Sequence, residues 1–217
     1  MKREFSPNAL RVLGCLAEKE LATPEYYPLT LNALLNACNQ KSNREPVLNL
    51  SEDEVLTAIG ELRSGQLVYL SAEGVRAARY CHNLGGRLKL EQEEQALLTV
   101  LLLRGPQTVG ELRTRTERLS AFADLGAVEA VLQGLQEREE PLVTRLPRQP
   151  GRKEHRYAQL LGGDPSVEDG PEAVAAGHEP PPVAGDRLAR LETEVAELRE
   201  ELNLLRSELA GFRSQFE

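Results

Sequence analysis

The chain of 217 residues has 26 Lys and Arg, 34 Asp and Glu, and a formal net charge of −8. It has no run of about twenty apolar residues and does not open on a basic and then apolar leader, so we expect neither a membrane span nor export. Its cysteines, Cys15, Cys38 and Cys81, are widely spaced and form no CxxC pair, which argues against a disulfide framework. These features predict a cytoplasmic protein.

The excess of negative over positive charge lies at one end of the chain. Residues 1–88 contain 10 Lys or Arg and 10 Asp or Glu, residues 89–163 contain 11 and 11, and residues 164–217 contain 5 and 13. The acidic tail therefore accounts for the whole excess. Because the remaining chain is neutral, the net charge does not exclude contact with nucleic acid.

The first 88 residues have the pattern of three helices followed by a β-hairpin. Ser6-Pro7 is a helix opening with a capping hydroxyl and a proline at the first helical position, and Thr23-Pro24 ends that helix. Thr30 is expected to cap a second helix. Apolar residues at helical spacing predict the buried faces of these two helices: Leu10, Leu13, Leu16, Ala17 and Leu21 in the first, and Leu31, Leu34, Leu35 and Cys38 in the second.

The third helix has the clearest boundaries. Ser51 and Glu54 are spaced as a capping box, and Gly65 is predicted to end the helix in the left-handed conformation that favours glycine. Residues 67–70 and 75–82 then predict two strands joined by a turn at residues 72–74. Two helices joined by a turn and followed by a hairpin are typical of a winged helix-turn-helix. The apolar face of the third helix consists of Val55, Ile59 and Leu62.

The same pattern begins again after residue 88. Residues 91–104 predict a helix ended by Gly105 and Pro106, and Thr108 with Glu111 forms a second capping box. A repeat across helix, helix and strand indicates duplicated structural units. Leu34 matches Leu112; Val55, Ile59 and Leu62 match Val128, Leu132 and Leu135; Leu67-Val68 matches Leu142-Val143. We therefore predict a mainly α fold with small β-hairpins (α+β), built from tandem winged helix-turn-helix domains at 1–88 and 89–161.

The remaining chain divides into a linker and a helix. Ten of the 24 residues at 162–185 are Gly or Pro, which predicts a flexible Gly/Pro-rich linker at 162–186. Residues 187–217 have apolar residues spaced alternately three and four apart, as in a coiled-coil helix. This seam comprises Leu188, Leu191, Val195, Leu198, Leu202, Leu205, Leu209, Phe212 and Phe216.

The charges that flank the seam favour a parallel homodimer. With Leu188 at position a, every g position from Glu194 to Glu208 is followed by an Arg at the next e position. A parallel pair sets Glu against Arg, whereas an antiparallel pair sets Glu against Glu. No buried Asn specifies two strands, so a trimer stays open as an alternative.

Two groups of residues are candidates for nucleic-acid contact. Amides and basic side chains of the 39–44 loop have the chemistry to reach base edges and phosphates, although the same loop composition is also typical of local capping. The second group is basic and lies on the predicted helix that follows Thr108 and on the second hairpin, whose tip contains Pro150-Gly151 as a type II turn. The candidates are Asn39, Gln40, Lys41, Asn43, Arg44, Arg113, Arg115, Arg118, Arg145, Arg148, Arg152, Lys153 and Arg156.

No motif indicates catalysis, a metal or a cofactor. The histidines, His82, His155 and His178, have no partners at metal-site spacing, and Cys81 and His82 point to opposite faces of a strand. A phosphate-binding loop and a nucleophile elbow are both absent from the sequence. We therefore predict that the protein is not an enzyme and that it has no cofactor.

Three stretches resemble the YceH-like family of bacterial proteins. They are ALLNACNQKSNREPVLNLSE, RYCHNL and LPRQPGRKEHRYAQLL, and the resemblance spans about residues 5–161. It implies a tandem winged-helix fold, in agreement with the repeat, but no activity that could be transferred. The coiled-coil segment lies outside this resemblance.

The function hypothesis is a dimeric winged-helix protein that binds double-stranded DNA or regulates transcription. One feature differs from ordinary helix-turn-helix readout: the third helix of each repeat is acidic, with Glu52, Asp53 and Glu54 in the first and Glu129 in the second. The alternative is a protein-interaction scaffold built from winged helices, similar to subunits of chromosome-segregation complexes, without direct DNA contact. The protein partner is not specified by the sequence.

Overall fold

Helices separated by short antiparallel strands form the residues described by the computed structural model, which are 4–71, 78–148 and 154–165. About half of these residues are helical, and the structure is mixed α+β. The first repeat comprises α1 (Pro7–Ala22), β1 (Leu29–Thr30), α2 (Leu31–Cys38), α3 (Glu52–Ser64), β2 (Val68–Ser71), β3 (Arg79–His82) and α4 (Leu84–Leu88). A single 3₁₀ turn, Pro24–Tyr26, separates α1 from β1.

The second repeat follows the same order. It comprises α5 (Gln92–Arg104), β4 (Gln107–Thr108), α6 (Val109–Thr116), α7 (Leu125–Gln136), β5 (Val143–Arg145) and β6 (Arg156–Gln159). Each repeat forms a three-stranded antiparallel sheet, with strand orders β1-β3-β2 and β4-β6-β5. In both sheets the short strand before the second helix pairs with the returning hairpin strand, Leu29 opposite Tyr80 and Gln107 opposite Tyr157.

The helix starts agree with the capping residues expected from the sequence. The hydroxyls of Ser6 and Thr30 accept hydrogen bonds from the backbone N–H groups of Ala9 and Ala33. Ser51 with Glu54, and Thr108 with Glu111, form the predicted capping boxes. These predictions are confirmed because a cap depends on residues three apart, which the local sequence contains in full.

The end of α3 differs from the prediction at Gly65. Gly65 has φ −85°, and the left-handed residue is Gln66, with φ 60°. Leu67 N–H donates to the Leu62 carbonyl and Gln66 N–H donates to the Arg63 carbonyl, which is the Schellman pattern with Gln66 at C′. A glycine is required at position 65 because of the limited space there and not because of its backbone conformation. A Cβ at this position would lie 2.6 Å from the Phe5 ring. The predicted Gly105 end of α5 is confirmed, with φ 69°.

Three elements are absent from the sequence prediction: β1, β4 and α4. Two-residue strands have no hydrophobic period of their own, and β1 and β4 are strands only because β3 and β6 pair with them. The helix α4 has five residues, of which only Leu84 is buried. Elements this short depend on tertiary contacts for their definition.

The two repeats share one hydrophobic core. The main contact between them is α1 against α5, and every residue from Gln95 to Leu103 of α5 is buried. The helices approach closely at Gly14, where a Cβ would lie 2.9 Å from Cδ2 of Leu103. The residues that flank the two repeats are also joined, since Phe5 N–H donates to the Leu161 carbonyl over 2.9 Å. The packing therefore joins the two repeats through their first helices.

Several predicted features lie outside the described residues. These are the turns at 72–74 and 150–151, nearly all of the linker at 162–186 and the coiled-coil helix at 187–217. Within the ranges that are described, none of the helices combines the length and the apolar character that crossing a bilayer requires.

Candidate nucleic-acid interface

Asn39 of the predicted 39–44 interface has a structural role. Its side-chain Nδ2 donates to the Leu50 carbonyl over 2.9 Å, and its Oδ1 accepts from the Leu50 N–H over 2.7 Å. Both halves of the amide are therefore used to close the loop between α2 and α3. Asn39 has the local capping role that the sequence left open as an alternative.

Arg44 also has a structural role, because its side chain is buried beneath the 39–44 loop. Its side chain has no solvent exposure and forms a two-pronged ion pair with Glu18 of α1, with Nη1–Oε1 3.0 Å and Nη2–Oε2 2.6 Å. Its Nε donates to the Ala37 carbonyl over 3.0 Å. Burial raises the pKa of Glu18, but the hydrogen bonds from Arg44 outweigh it and hold that pKa below its ordinary value. Arg44 is thus unavailable to a ligand in this structure.

A second buried arginine supports the same loop from α1. The Nη1 of Arg11 donates to the Cys38 carbonyl over 3.2 Å, and its Nη2 donates to the Pro46 carbonyl over 2.6 Å. The thiols of Cys15 and Cys38 are fully buried beside it. The loop conformation is therefore determined by guanidinium groups beneath it. Gln40 is half-buried, and its Oε1 accepts from Arg44 Nη2 over 2.8 Å, whereas Lys41 and Asn43 are exposed.

The arginines at 113–118 point in different directions. Arg113 Nη2 donates to the Ala123 carbonyl over 3.0 Å, on the side of α6 that faces the α6–α7 connection. Arg115 Nη1 donates to Gln107 Oε1 over 2.6 Å, and its Nη2 lies 3.3 Å from Glu111 Oε1. Arg115 and Arg118 line a cleft between the repeats, whereas Arg113 does not. The predicted cluster is therefore two separate groups.

The cleft that Arg115 and Arg118 line is called the inter-repeat cleft below. It has a volume of about 690 Å³ and lies between the C-terminal part of α1, the 39–44 loop, the end of α5 and the residues 114–119. Its polar lining includes Gln40 and Asn43 of the predicted interface, and the Arg104 guanidinium donates to the Asn43 Oδ1 across it. The basic side chains that line it are Lys19, Arg104, Arg115 and Arg118.

Two of these basic residues were missed by the sequence reasoning. Lys19 and Arg104 lie in the last turns of α1 and α5, where a cation is ordinarily explained by the helix dipole. They come together only because α1 packs against α5, and they are 85 positions apart in the chain. The repeat is the one signal in the sequence that could have indicated this pairing, because it makes α1 and α5 the equivalent first helices of the two halves.

The second hairpin exposes part of its predicted basic surface. Arg145 and Arg148 are exposed, and Arg156 is half-buried on β6. The Nε of Arg148 donates to His155 Nε2 over 2.9 Å, while His155 Nδ1 lies 3.1 Å from the Leu146 carbonyl. This arrangement requires the proton of a neutral His155 to be on Nδ1. Arg152 and Lys153 lie outside the described residues.

The His82 side chain is buried and pairs with Glu20 of α1 within the first repeat. Its Nε2 lies 2.8 Å from Glu20 Oε2, and its Nδ1 accepts from the Leu84 N–H over 3.2 Å. The hydrogen bond from His82 lowers the pKa of Glu20. Within residues 4–71, 78–148 and 154–165, no three His, Cys, Asp or Glu side chains are grouped to hold a metal ion.

The fold and the cleft define a mixed α+β protein made of two repeated helix-and-sheet units. The family described as "Protein of unknown function, DUF480" matches residues 5–152. The UPF0502 protein of Geobacter metallireducens is 60% identical over 215 residues, with 96% of each chain covered. The UPF0502 protein of Pelobacter propionicus is 56% identical over 215 residues, with 95% of each covered, and one from Geotalea uraniireducens is 55% identical over 225 residues, with 100% covered.

The chain belongs to this DUF480 (UPF0502) family of bacterial proteins. The resemblance inferred from the three sequence stretches is thereby confirmed. The relatives align over nearly the whole chain, beyond the ranges that the structure describes.

Proposed function

We propose that this protein is a tandem winged-helix protein that binds double-stranded DNA as a dimer. The observation that supports it most strongly is the duplicated order of helix, short strand, two helices and hairpin, with strand order β1-β3-β2 repeated as β4-β6-β5. A helix pair followed by a hairpin on a three-stranded sheet is the winged helix-turn-helix arrangement. The proposal assigns a binding role in the cytoplasm and no catalytic step.

The charges favour contact through the second hairpin rather than through the third helices. Glu52, Asp53 and Glu54 are exposed at the start of α3, and Glu129 is exposed on α7. Carboxylates on these faces would repel DNA phosphates. Arg145 and Arg148 stand exposed on the second hairpin instead, where guanidinium groups can bind phosphate oxygens. We therefore propose a hairpin-led contact.

The dimer part of the proposal rests on the heptad seam of residues 187–217. A parallel pair would bury the seam leucines and place three Glu–Arg contacts on each side. Twofold symmetry would then present two copies of the hairpin to one duplex. The buried seam would provide most of the association energy, since exposed ion pairs contribute only about 0.2–1 kcal/mol each.

The decisive experiment is fluorescence anisotropy of the full-length protein with a random-sequence duplex at about 50 and 200 mM salt. We expect binding that weakens with salt, and a reduced salt slope for the R145Q/R148Q variant, by up to about 0.9 per lost phosphate contact. The R63Q/R87Q variant is the matched control, since both arginines are exposed and lie on α3 and α4. No binding by the wild type at the lower salt, or equal effects of the two variants, would exclude the hairpin contact.

A protein-interaction scaffold is the second candidate. The observation that favours it is the exposure of two apolar side chains on β2, the outer strand of the first sheet: Tyr69 is 44% exposed and Leu70, on the opposite face of the strand, is 47% exposed. The acidic surface of α3 and the neutral charge of each repeat agree with a protein partner. Crosslinking pull-down from native cells, comparing wild type with Y69S/L70S, tests it. A partner that is captured by both proteins equally would contradict a role for β2.

A further inference from the structure

The inter-repeat cleft contains more positive charge than its own carboxylates neutralise. Four cationic side chains line it, from α1, α5 and the region of α6, together with the carboxylates of Glu18 and Glu117. Glu18 is already engaged, by the two-pronged pair with Arg44 and by Lys19, whose Nζ lies 3.4 Å away. Arg115 is paired with Glu111 outside the lining, since its Nη2 lies 3.3 Å from Glu111 Oε1. Glu117 is then the one lining carboxylate left to offset Arg104 and Arg118.

Two of the arginines have no carboxylate partner in the parts of the chain that are described. Neither Arg104 nor Arg118 is within ion-pair distance of an Asp or Glu there. The contact of Arg104 is with the neutral amide oxygen of Asn43. Guanidinium groups present five donors in a planar fork that matches a phosphate or a carboxylate, so most of their hydrogen-bonding capacity is left for a ligand.

Arg104 and Arg115 also repel each other across the cleft. Burial lowers the pKa of Arg104, and the nearby positive charge of Arg115 lowers it further. The charges of Glu45 and Glu18 raise this pKa and offset part of the repulsion. An anion between the two arginines would add attraction to both. Arg115 is meanwhile oriented by its hydrogen bond to Gln107, so its guanidinium is positioned before any ligand arrives.

We propose that the inter-repeat cleft is a binding site for a phosphate-bearing anion. Its volume of about 690 Å³ is that of a small-molecule site rather than of a single ion. Val100, Leu103 and Leu119 supply an aliphatic wall, and no aromatic side chain is among the described lining residues. Such a wall suits an aliphatic phosphate ester and offers no surface for stacking a base. The phosphate belongs either to a free phosphorylated compound or to a nucleic-acid backbone.

Isothermal titration calorimetry of the full-length protein with inorganic pyrophosphate tests the site, at constant ionic strength. We expect saturable binding by the wild type and at least a tenfold weaker Kd for R104Q/R118Q. R63Q/R87Q removes the same charge outside the cleft and is expected to retain the wild-type Kd. The R118E variant is the second test, because Arg118 is exposed and its reversal leaves the core intact. Circular dichroism verifies that each variant is folded.

Three results would overturn the proposal. They are the absence of pyrophosphate binding by the wild type, an equal loss in the cleft and control variants, and wild-type affinity in folded R118E and R104Q/R118Q. Competition with a DNA duplex then identifies the source of the phosphate. Displacement of pyrophosphate by DNA supports a backbone phosphate, whereas simultaneous binding supports a free phosphorylated compound. The site does not depend on the DNA-binding proposal, since the hairpin variant R145Q/R148Q tests that proposal separately.

Discussion

Arg44 shows how burial changes the meaning of a residue in a polar loop. The loop composition alone is consistent with a phosphate contact, but Glu18 and the Ala37 carbonyl enclose the guanidinium. Glu18 lies 26 positions earlier and belongs to a different helix. No local pattern links the two residues, so only the packed structure distinguishes a ligand-binding arginine from a core ion pair.

At this scale we predict that E18Q destabilises the protein by about 3–5 kcal/mol at neutral pH, since it leaves a buried guanidinium without its anion. Urea denaturation followed by circular dichroism measures the change in the free energy of unfolding. The control is K41Q, which replaces an exposed residue of the 39–44 loop that contains Arg44. It should change the free energy of unfolding by less than about 0.5 kcal/mol.

The same pair predicts a pH dependence. The pKa of Glu18 is lowered in the folded protein from an ordinary value of 4.5, so its contribution is fully present above pH 4.5 and is lost as the pH falls through the folded pKa. The stability difference between wild type and E18Q should therefore be constant near neutrality and shrink below pH 4.5. A difference that stays constant down to the acid transition would show that the ion pair does not stabilise the fold.

At the scale of elements, the α1–α5 contact depends on a small residue. A methyl group at Gly14 would meet Cδ2 and Cγ of Leu103 at 2.9 and 3.0 Å, and both helices are buried along this line. Relief of this contact would require the helices to separate, with loss of close packing in the shared core. The joining of the two repeats is therefore sensitive to this position.

We predict that G14A destabilises the protein by about 1–3 kcal/mol through overpacking, despite the better helix propensity of alanine. G60A is the matched control, because Gly60 is an exposed position within α3 and a Cβ there meets nothing within 4 Å. It should stabilise the protein by up to about 1 kcal/mol. Thermal unfolding of both variants tests the pair, and equal midpoint shifts would contradict the role of Gly14.

Whether the boundary of a helix or strand can be predicted depends on how far apart in the chain the residues that define it lie. The caps of α1, α2, α3 and α6 follow from residues three apart and are predictable. The position of the left-handed residue after α3 is not, because the glycine that indicates it, Gly65, is required by the close approach of Phe5 instead, whereas the Schellman hydrogen bonds place Gln66 at C′. The short strands β1 and β4 likewise require a partner strand that lies about fifty residues away.

At the scale of the whole molecule, the oligomeric state is predicted from the seam at 187–217. We expect the full-length protein to be a dimer and a chain ending at residue 186 to be a monomer, because the seam is the only repeated apolar stripe that the sequence leaves without a predicted partner. Light scattering with size-exclusion chromatography measures both masses. A dimer that survives the truncation would assign association to another surface, and a trimer of the full chain would select the alternative.

The duplication, the main helices and their caps are predictable from the order of the residues alone, because they depend on periodicity and on neighbours a few residues apart. The sequence also indicated the family, through stretches that match over much of the chain. Tertiary contacts, in contrast, determine which basic residues share a surface. Glu18 of α1 buries Arg44, and the packing of α1 against α5 brings Lys19 and Arg104 into one cleft. Both contacts join residues far apart in the chain, for which no local pattern exists.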